Sequence, residues 1–268
     1  MKELLIHSGE VVHKVFVYNG RLTCCSDDPR LSCDRHPLAG SNPKNRQIFE
    51  DPKGGMSSPQ SSANDQSASK YPEGIPARIV VEREGRVDVV VLIMPGVSED
   101  LKIDVELAGE GAEANIYGAY VCGADERVKI SVDMHHKVPH CNSRQLFKGI
   151  AGGSSRVDFY GKIIVAQNAQ RTEAYQENHN ILLSDDAKVD TKPQLEIYAD
   201  DVKCSHGATI GRLNEEEQFY MRSRGISLEE AKVLQMISFL APVLETLPES
   251  DCEPLSAQLE DAIRSIGK

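Results

Sequence analysis

Short apolar stretches recur between residues 78 and 213, and they limit the folds that are open to this chain. Each stretch has the length and β-branched content of a strand, and turns rich in Gly, Asn and Asp separate one from the next. No long amphipathic helical pattern interrupts the series, which disfavours a doubly wound α/β sheet. An all-β sandwich, a barrel or a solenoid remains. The clearest of these stretches are Arg78–Val81, Val87–Ile93, Val128–Val132, Lys162–Val165 and Leu195–Tyr198.

An internal similarity favours the solenoid. The segment Asn115–Arg127 matches the segment Asp158–Arg171 at an offset of 43 residues, with a slip of one residue at the closing arginine. Two turns of a β-solenoid would give this spacing, because each coil covers the open apolar face of its neighbour. A chance similarity between two turn-rich strands would give it as well. The spacing alone leaves both interpretations open.

The chain divides by composition into four segments. The first contains a strand pair, in which Val15–Tyr18 leads into Asn19-Gly20, the dipeptide best suited to a tight hairpin turn, and a cysteine-bearing loop follows. The second is a flexible linker, because Ser, Pro and Gly make up 13 of the 26 residues from 51 to 76. The four predicted segments are residues 1–50, the linker 51–77, the β-helix core 78–213 and the helical domain 214–268.

The last segment changes to a helical period. The second of its helices is predicted to run from Leu228 to about Leu247, and its apolar residues form a wider set than one core-facing stripe. Pro242 predicts a kink or an early end to that helix. A third short helix is predicted over residues 255–266. Two pairs have the capping-box spacing at which helices begin: Asn214 with Glu217, and Ser227 with Glu230.

Composition and charge exclude several classes of protein. The 268 residues include 30 Lys and Arg against 41 Asp and Glu, a formal charge of −11, so no nucleic acid partner is expected. No run approaches the roughly 18 apolar residues of a membrane span, and residues 1–17 lack the apolar block of a signal peptide. The seven cysteines, spread from Cys24 to Cys252, are expected to be reduced thiols. We therefore expect a cytoplasmic protein with no membrane partner.

The most informative candidate site lies in the segment Asp200–Thr209, which contains Cys204 and His206. On a strand, side chains alternate between faces, so these two point to the same face and Ser205 points away. A thiolate beside an imidazole can hold iron or zinc. From spacing alone, a buried free cysteine next to a histidine with a backbone partner is the simpler interpretation.

A second group combines His135, His136, His140 and Cys141. Pro139 prevents a continuous helix here, so the helical histidine spacing of a metalloprotease does not apply. A polar turn at a strand end is the favoured interpretation. His179 is a single histidine, for which exposure to solvent is expected.

A third group lies in the cysteine-bearing loop. It could supply four soft ligands, but its spacing is not that of a common zinc module. No phosphate-binding loop, dinucleotide fingerprint or nucleophile elbow occurs in the chain. The members of this group are Cys24, Cys25, Cys33 and His36.

Several longer motifs follow one another in the same order as in a known family. The most specific is Lys192–Thr209, with Cys204-Ser205-His206-Gly207 inside it, and it continues through Phe219-Tyr220 to Arg222–Ile226. The others are Ser143–Gly149, Tyr160–Ile163 and Asn180–Thr191. Over roughly residues 78–247 the chain resembles the SufB/SufD family, and within it the SufD branch.

The resemblance implies a mainly β protein, a right-handed parallel β-helix with a C-terminal helical domain. It implies a non-catalytic scaffold subunit of the SUF iron–sulfur cluster assembly complex. Such a subunit pairs through its β-helix with a SufB-type subunit and docks a SufC-type ATPase through its C-terminal helices. A transient iron–sulfur cluster or iron would sit at the subunit interface, and this chain would bind no nucleotide.

The resemblance also assigns residues. His206 would be a ligand of iron or of the cluster, with Cys204 as its neighbour on the same face. The broad apolar surface of the second helix and the acidic tail suit a partner, so the ATPase contact is expected around residues 214–247. The candidates for this contact are Phe219, Tyr220, Leu234, Ile237, Leu240 and Leu244.

Other interpretations remain open. The N-terminal helical region usual in SufD is short or absent in the chain, which favours a SufB-like homodimer of a minimal system as the alternative. Cys24, Cys25, Cys33 and His36 would then supply further ligands. A β-helix enzyme acting on acidic polysaccharide is disfavoured, because no basic cluster on the strands would hold a polyanion. A structural adaptor with an inert Cys204 and His206 is the third possibility.

Overall fold

The computed structural model describes residues 3–18 and 75–266, and the strands and helices lie within these two ranges. The strands are β1 (Glu3–Ile6), β2 (Val11–Tyr18), β3 (Arg78–Val81), β4 (Arg86–Ile93), β5 (Glu99–Leu107), β6 (Glu113–Cys122), β7 (Arg127–His136), β8 (Asn142–Ala151), β9 (Arg156–Val165), β10 (Thr172–Leu182), β11 (Lys188–Ile197) and β12 (Val202–Gly211). The helices are α1 (Glu215–Ser223), α2 (Leu228–Leu244) and α3 (Glu249–Ile266).

The strands form two six-stranded parallel sheets. The odd-numbered strands make sheet A, in the order β1-β3-β5-β7-β9-β11, and the even-numbered strands make sheet B, in the order β12-β10-β8-β6-β4-β2. Because consecutive strands alternate between the two sheets, the chain winds as a parallel β-solenoid. The prediction of a mainly β, parallel β-helix followed by C-terminal helices is confirmed.

A hydrophobic core fills the space between the sheets. Strand β7 of sheet A shows why: Val128, Ile130 and Val132 are buried, and the residues between them are more exposed. Alternation with a period of two places these side chains on one face. Ile116 and Phe147 from sheet B belong to the same core. Each sheet therefore buries one face against the other.

The two similar segments lie on opposite sheets, since β6 belongs to sheet B and β9 to sheet A. The register pairs Glu113 with Asn142 and Arg127 with Arg156, so one full coil takes 29 residues at these positions. The expectation that an offset of 43 residues spans two turns was wrong. This offset carries the chain round one coil and then across to the other sheet. The two strands of a coil bury one face in the same core, so their sequences are similar.

Strands β1 and β2 begin the two sheets. β1 pairs with β3, and β2 pairs with β4, both in parallel. Residues 3–18 therefore extend the solenoid beyond its predicted bounds of 78–213. The expected partner strand of Val15–Tyr18, which would follow Asn19-Gly20, lies outside the described residues. Parallel pairing in the solenoid buries Phe16 and Val17 of β2, which a lone hairpin would leave open. The predicted turn at Asn19-Gly20 lies outside the described residues, as do residues 51–74.

A helical layer covers the outer face of sheet B. Helix α2 contacts β6 and β8, and α3 contacts α2 and β6. Leu240 of α2 and Ile263 of α3 are fully buried in a second core, together with Ala119 and Ile150 from the sheet. The order of layers is sheet A, sheet B and helices. None of the described helices has both the length and the apolar composition of a membrane span.

The predicted capping residues begin two of the helices. The side chain of Asn214 accepts hydrogen bonds from the backbone amides of Glu216 and Glu217. That of Ser227 accepts one from the amide of Glu230. Both helix starts are thus confirmed.

The ends of the later helices differ from the prediction. Helix α2 ends at Leu244, two residues after Pro242, as the missing amide of a proline leads one to expect. Helix α3 begins at Glu249 and not at residue 255. The reason is that the carbonyl of Pro248 accepts the amides of Asp251 and Cys252 and starts the helix earlier.

Candidate functional site

Cys204 and His206 lie on β12, the last strand of sheet B. The register pairs Cys204 with Ala174 and His206 with Gln176 of β10. Ala174 and Gln176 are both completely buried between the sheets, so Cys204 and His206 also face the interior of the solenoid. The predicted common face is therefore found.

The two side chains differ in burial although they share one face of β12. Cys204 packs against the main core, whereas His206 is exposed. Burial raises the pKa of the Cys204 thiol, which favours the neutral form over the thiolate that binds metal. His206 is thus the better placed ligand of the two.

The described part of the chain does not complete a metal site at this position. No group of three or more His, Cys, Asp or Glu side chains with the spacing of a metal site occurs in residues 3–18 and 75–266. A site built on His206 would need further ligands from another molecule or from outside the described ranges. Cys24, Cys25, Cys33 and His36 all lie outside them.

The end of the solenoid at β11 and β12 is open. The side chains of Ile197, Tyr198 and Ile210 are exposed by 40%, 61% and 45%. Among the strands that the structure describes, β12 is the terminal strand of its sheet, so within these residues one row of its backbone amides and carbonyls is available for pairing. His206 therefore lies on the terminal strand of sheet B, in the same coil as these exposed apolar side chains.

Sequence reasoning missed a polar network inside the last coils. Tyr120, Asn178 and Asn180 are buried between the sheets and hydrogen bond to one another. Beside them, Gln176 Nε2 donates to Gln145 Oε1 at 3.1 Å. The signal was present in β10, whose sequence from Thr172 to Leu182 is polar at most positions of both faces.

The second histidine group does not converge on one face. His135 faces outward with its Nε2 3.8 Å from Asp104, whereas His136 is completely buried and its Nε2 lies 2.9 Å from Ser143 Oγ. Burial lowers the pKa of His136 to about 3, so the ring is neutral. His140 stands at a turn with a φ of 60°, as a polar turn predicts. Cys141 is buried, and burial raises its pKa to about 11.

His179, on the outer face of β10, is partly buried. Its Nδ1 lies 2.9 Å from Thr209 Oγ1, and its Nε2 lies 3.5 Å from a carboxylate oxygen of Glu177. The expectation of an exposed histidine therefore needs correction, because the neighbouring strand β12 holds the ring.

The predicted partner-binding residues fall on two sides of the helical layer. Phe219, Tyr220 and Leu234 are exposed by 74%, 60% and 40%. Leu240 and Leu244 are buried by the packing of α2 on sheet B, so we remove these two from the candidate contact surface. Ile237 is partly buried and packs against the same core.

A groove of about 760 Å³ opens beside the exposed residues. It lies between α1, α2 and the nearby ends of β10 and β12, and acidic side chains of α1 stand on its rim. Arg212 at its mouth is paired with Asp185. Its lining includes Ile181, Leu213, Glu217, Tyr220, Leu234 and Phe239. This groove and the open end of the solenoid are two separate surfaces that a partner can reach.

Comparison with known proteins matches these features to one family. The family described as "SUF system FeS cluster assembly, SufBD core domain" matches residues 72–239. The iron–sulfur cluster assembly protein SufD of Escherichia coli (strain K12) is 44% identical over 142 residues, which are 53% of this chain and 34% of that protein. A SufBD family protein of Synechocystis is 46% identical over 110 residues, 41% of this chain and 24% of that protein.

A chloroplastic protein of Arabidopsis thaliana, ABCI7, is 43% identical over 126 residues, 45% of this chain and 26% of that protein. The matched segments thus span about a quarter to a third of the length of these curated relatives. The family match covers more than half of the chain and includes β3 to β12, the strand with His206, and most of α2. The chain therefore belongs to the SufBD family of the SUF iron–sulfur cluster assembly system, and it is a homologue of SufD.

Proposed function

We propose that this chain is a non-catalytic, SufD-type scaffold subunit on which an iron–sulfur cluster is assembled. The observation that carries the proposal is the open last coil. There, an exposed imidazole shares a coil with exposed apolar side chains, and among the described strands no further strand pairs with the edge of β12. A surface of this kind suits a subunit that shares its site with another chain.

The last coil pairs with a SufB-type subunit or with a second copy of this chain. Ile197, Tyr198 and Ile210 supply apolar area, and the edge of β12 supplies backbone hydrogen bonds. Pairing would cover the end of the core, which no further coil covers among the described residues. The partner would also bring the ligands that β12 lacks.

Iron or the nascent cluster binds at His206. Imidazole is a borderline donor that suits iron, and its exposure lets an ion reach it. Cys204 lies two residues away on the same face, about 6.6 Å along the strand, and supplies a thiolate when it is deprotonated. The cluster is cargo here, so a site with few ligands of its own favours release.

The SufC-type ATPase docks at the groove of α1 and α2. Tyr220 and Leu234 line it and are exposed, and Glu216 and Glu217 place negative charge on its rim. Phe219, which precedes Tyr220 on α1, is exposed as well. Exposed aromatic side chains of this kind are typical anchors of protein interfaces. This surface is formed from helices, whereas the first is formed from strands, so the two partners can bind together.

A reducing compartment such as the cytoplasm fits this assignment. The four cysteines of the described ranges, Cys122, Cys141, Cys204 and Cys252, are all free thiols. Free thiols at several positions are typical of proteins that work where disulfides do not persist.

Coexpression with the ATPase and the SufB-type subunit tests the two surfaces separately. Tyr198→Asp should abolish pairing through the last coil and leave ATPase binding intact, because the two surfaces are distinct. Leu234→Asp should abolish binding of the ATPase and leave pairing through the last coil intact. Both side chains are exposed, so each variant should keep the wild-type unfolding temperature. Retention of both partners by both folded variants would contradict the proposed surfaces.

A further inference from the structure

We propose that Gln176 is a positioning residue for His206: its Oε1 accepts the hydrogen of one imidazole nitrogen and leaves the other nitrogen free for iron. The inference rests on the proposed role of His206 as a ligand. It names the residue that would fix the direction and the tautomer of the ring.

The register places Gln176 directly beside His206. Gln145 of β8, Gln176 of β10 and His206 of β12 occupy one row across sheet B. Neighbouring strands lie about 4.8 Å apart, and side chains in one row point to the same face. Gln176 is therefore the inward neighbour of His206, and Gln145 is one strand farther away.

The amide of Gln176 has one unused acceptor. Its Nε2 donates a hydrogen bond to Gln145 Oε1 of β8 at 3.1 Å, so the amide nitrogen has a partner. Its Oε1 is buried and has no hydrogen-bond partner in the described ranges, His206 included, so the proposed bond forms when the exposed imidazole rotates toward this oxygen. A buried acceptor without a partner costs about 1–3 kcal/mol. On the side of Gln176 away from Gln145, the next side chain in this row that carries an N–H group is His206.

The sheet opposite holds the amide in place. A Cβ atom at Gly161 of β9 would lie 1.6 Å from Gln176 Nε2, so the side chain of Gln176 crosses the core and occupies the space that the glycine leaves. Gln176 is also completely buried. An amide held by both sheets is a fixed acceptor, and a fixed acceptor is what orients a ring.

The imidazole of His206 requires an acceptor of this kind if it is to bind iron in one orientation. A histidine that binds metal usually donates its second N–H to an acceptor, which fixes the orientation of the ring. When one nitrogen donates to Gln176 Oε1, the lone pair of the other is directed away from the core, toward the open end. The hydrogen bond between Gln176 and His206 thus fixes the tautomer of the imidazole and the direction in which its iron-binding nitrogen points.

Nitrogen-15 NMR of histidine-labelled full-length protein at pH 8, without metal, tests this directly. The wild type should show His206 as one tautomer, with one protonated and one bare nitrogen. Gln176→Met, of similar length but without the oxygen, should show averaged shifts from two exchanging tautomers. Gln176→Glu, whose carboxylate can accept the same hydrogen, should restore a single tautomer.

Thr172→Val is the matched control. It removes a buried hydroxyl from the same face of β10, at a position paired with Val202 and not with His206, and should leave the His206 spectrum like that of the wild type. Equal spectra for the wild type and Gln176→Met, or equal changes in Gln176→Met and Thr172→Val, would overturn the proposal. If Gln176→Met does not fold, the spectrum of Gln176→Glu tests the proposal instead. A mixture of His206 tautomers in that variant would overturn it as well.

Iron(II) titration of the complexes that the wild type and the variants form with the pairing subunit and the ATPase separates this inference from the proposed function. Gln176→Met should weaken iron binding about 10- to 100-fold, the usual effect of removing a partner of a ligand. If the wild type binds no iron through His206 in the assembled complex, the proposed function fails. If the wild type binds iron and Gln176→Met binds it equally well, only the positioning role fails.

Discussion

At the scale of single residues, the interior of this solenoid is unusual in holding polar side chains that it must keep uncharged. His136 is the clearest case. It is completely buried, its Nε2 contacts Ser143 Oγ at 2.9 Å, and its Nδ1 has no partner in the described ranges. Loss of hydration, with a smaller contribution from His135, lowers its pKa to about 3. The folded protein therefore disfavours the proton that the unfolded chain accepts near pH 6.5.

This difference predicts acid sensitivity. Because the unfolded state binds more protons between about pH 6.5 and pH 3, the free energy of unfolding should fall by about 1.4 kcal/mol per pH unit as the pH drops below 6.5. The contribution of the buried neutral ring is fully present above pH 6.5. Urea unfolding at pH 7.5 and 5.5 measures the effect, and His136→Gln should reduce the difference between the two values.

The control for this measurement is His140→Asn, which removes a half-exposed imidazole at a turn. It should keep the pH dependence of the wild type. An unchanged pH dependence in His136→Gln would show that His136 is not the group responsible.

Close packing at glycines gives a second prediction at this scale. A Cβ at Gly149 would lie 1.8 Å from the ring of Tyr120, and Tyr120 belongs to the buried polar network. Gly149→Ala should therefore destabilise the fold by about 1–3 kcal/mol, because the ring cannot move without breaking the network. Gly207→Ala, with no atom within 4 Å of the added Cβ, should change stability by less than about 0.5 kcal/mol. Similar thermal shifts for the two variants would argue against this packing.

At the scale of elements, helix α2 has two apolar sides with different roles. The side with Leu240 is buried against sheet B, and the side with Leu234 borders the groove. The sequence predicted both the helix and its unusual apolar width. It did not show which side is core, because aliphatic residues occur on both sides and only the position of the sheet distinguishes them.

The two sides should respond differently to the same substitution. Leu240→Ala should cost about 2–5 kcal/mol of unfolding free energy, since it leaves a cavity in the second core. Leu234→Ala should cost less than about 0.5 kcal/mol in the isolated chain and should weaken binding of the ATPase. Chemical denaturation and a binding assay with purified ATPase measure the two effects. A loss of stability in Leu234→Ala equal to that in Leu240→Ala would contradict the assignment of the two sides.

The predicted strands and helix starts show which features of the fold local sequence patterns determine. Alternation in β7 and the caps at Asn214 and Ser227 are local signals, and they predicted these elements correctly. The early start of α3 depends on the carbonyl of Pro248, which accepts the amides of Asp251 and Cys252. Residue types alone do not predict which carbonyl accepts the first amides of a helix. The 29-residue coil was also missed, because both strands of a coil bury the same kind of face.

At the scale of the whole molecule, the solenoid exposes its last coil and the helices expose a groove. The sequence identified Cys204 and His206 as sharing a face, since alternation alone decides that. From spacing alone it also favoured a buried Cys204, but it did not predict that His206, on the same face, would stay exposed. The exposure is possible because β12 is the last strand of its sheet, and the alternating pattern of a last strand is the same as that of an inner one.

The central claim, that the open last coil presents a ligand for iron, is tested most directly by the iron and sulfide content of the anaerobically purified complex. His206→Ala should retain the ATPase and the pairing subunit but lose most of the iron and acid-labile sulfide. His179→Ala, which removes an imidazole from the outer face of the adjacent strand, should keep both. Wild-type iron and sulfide in an intact His206→Ala complex would contradict the account.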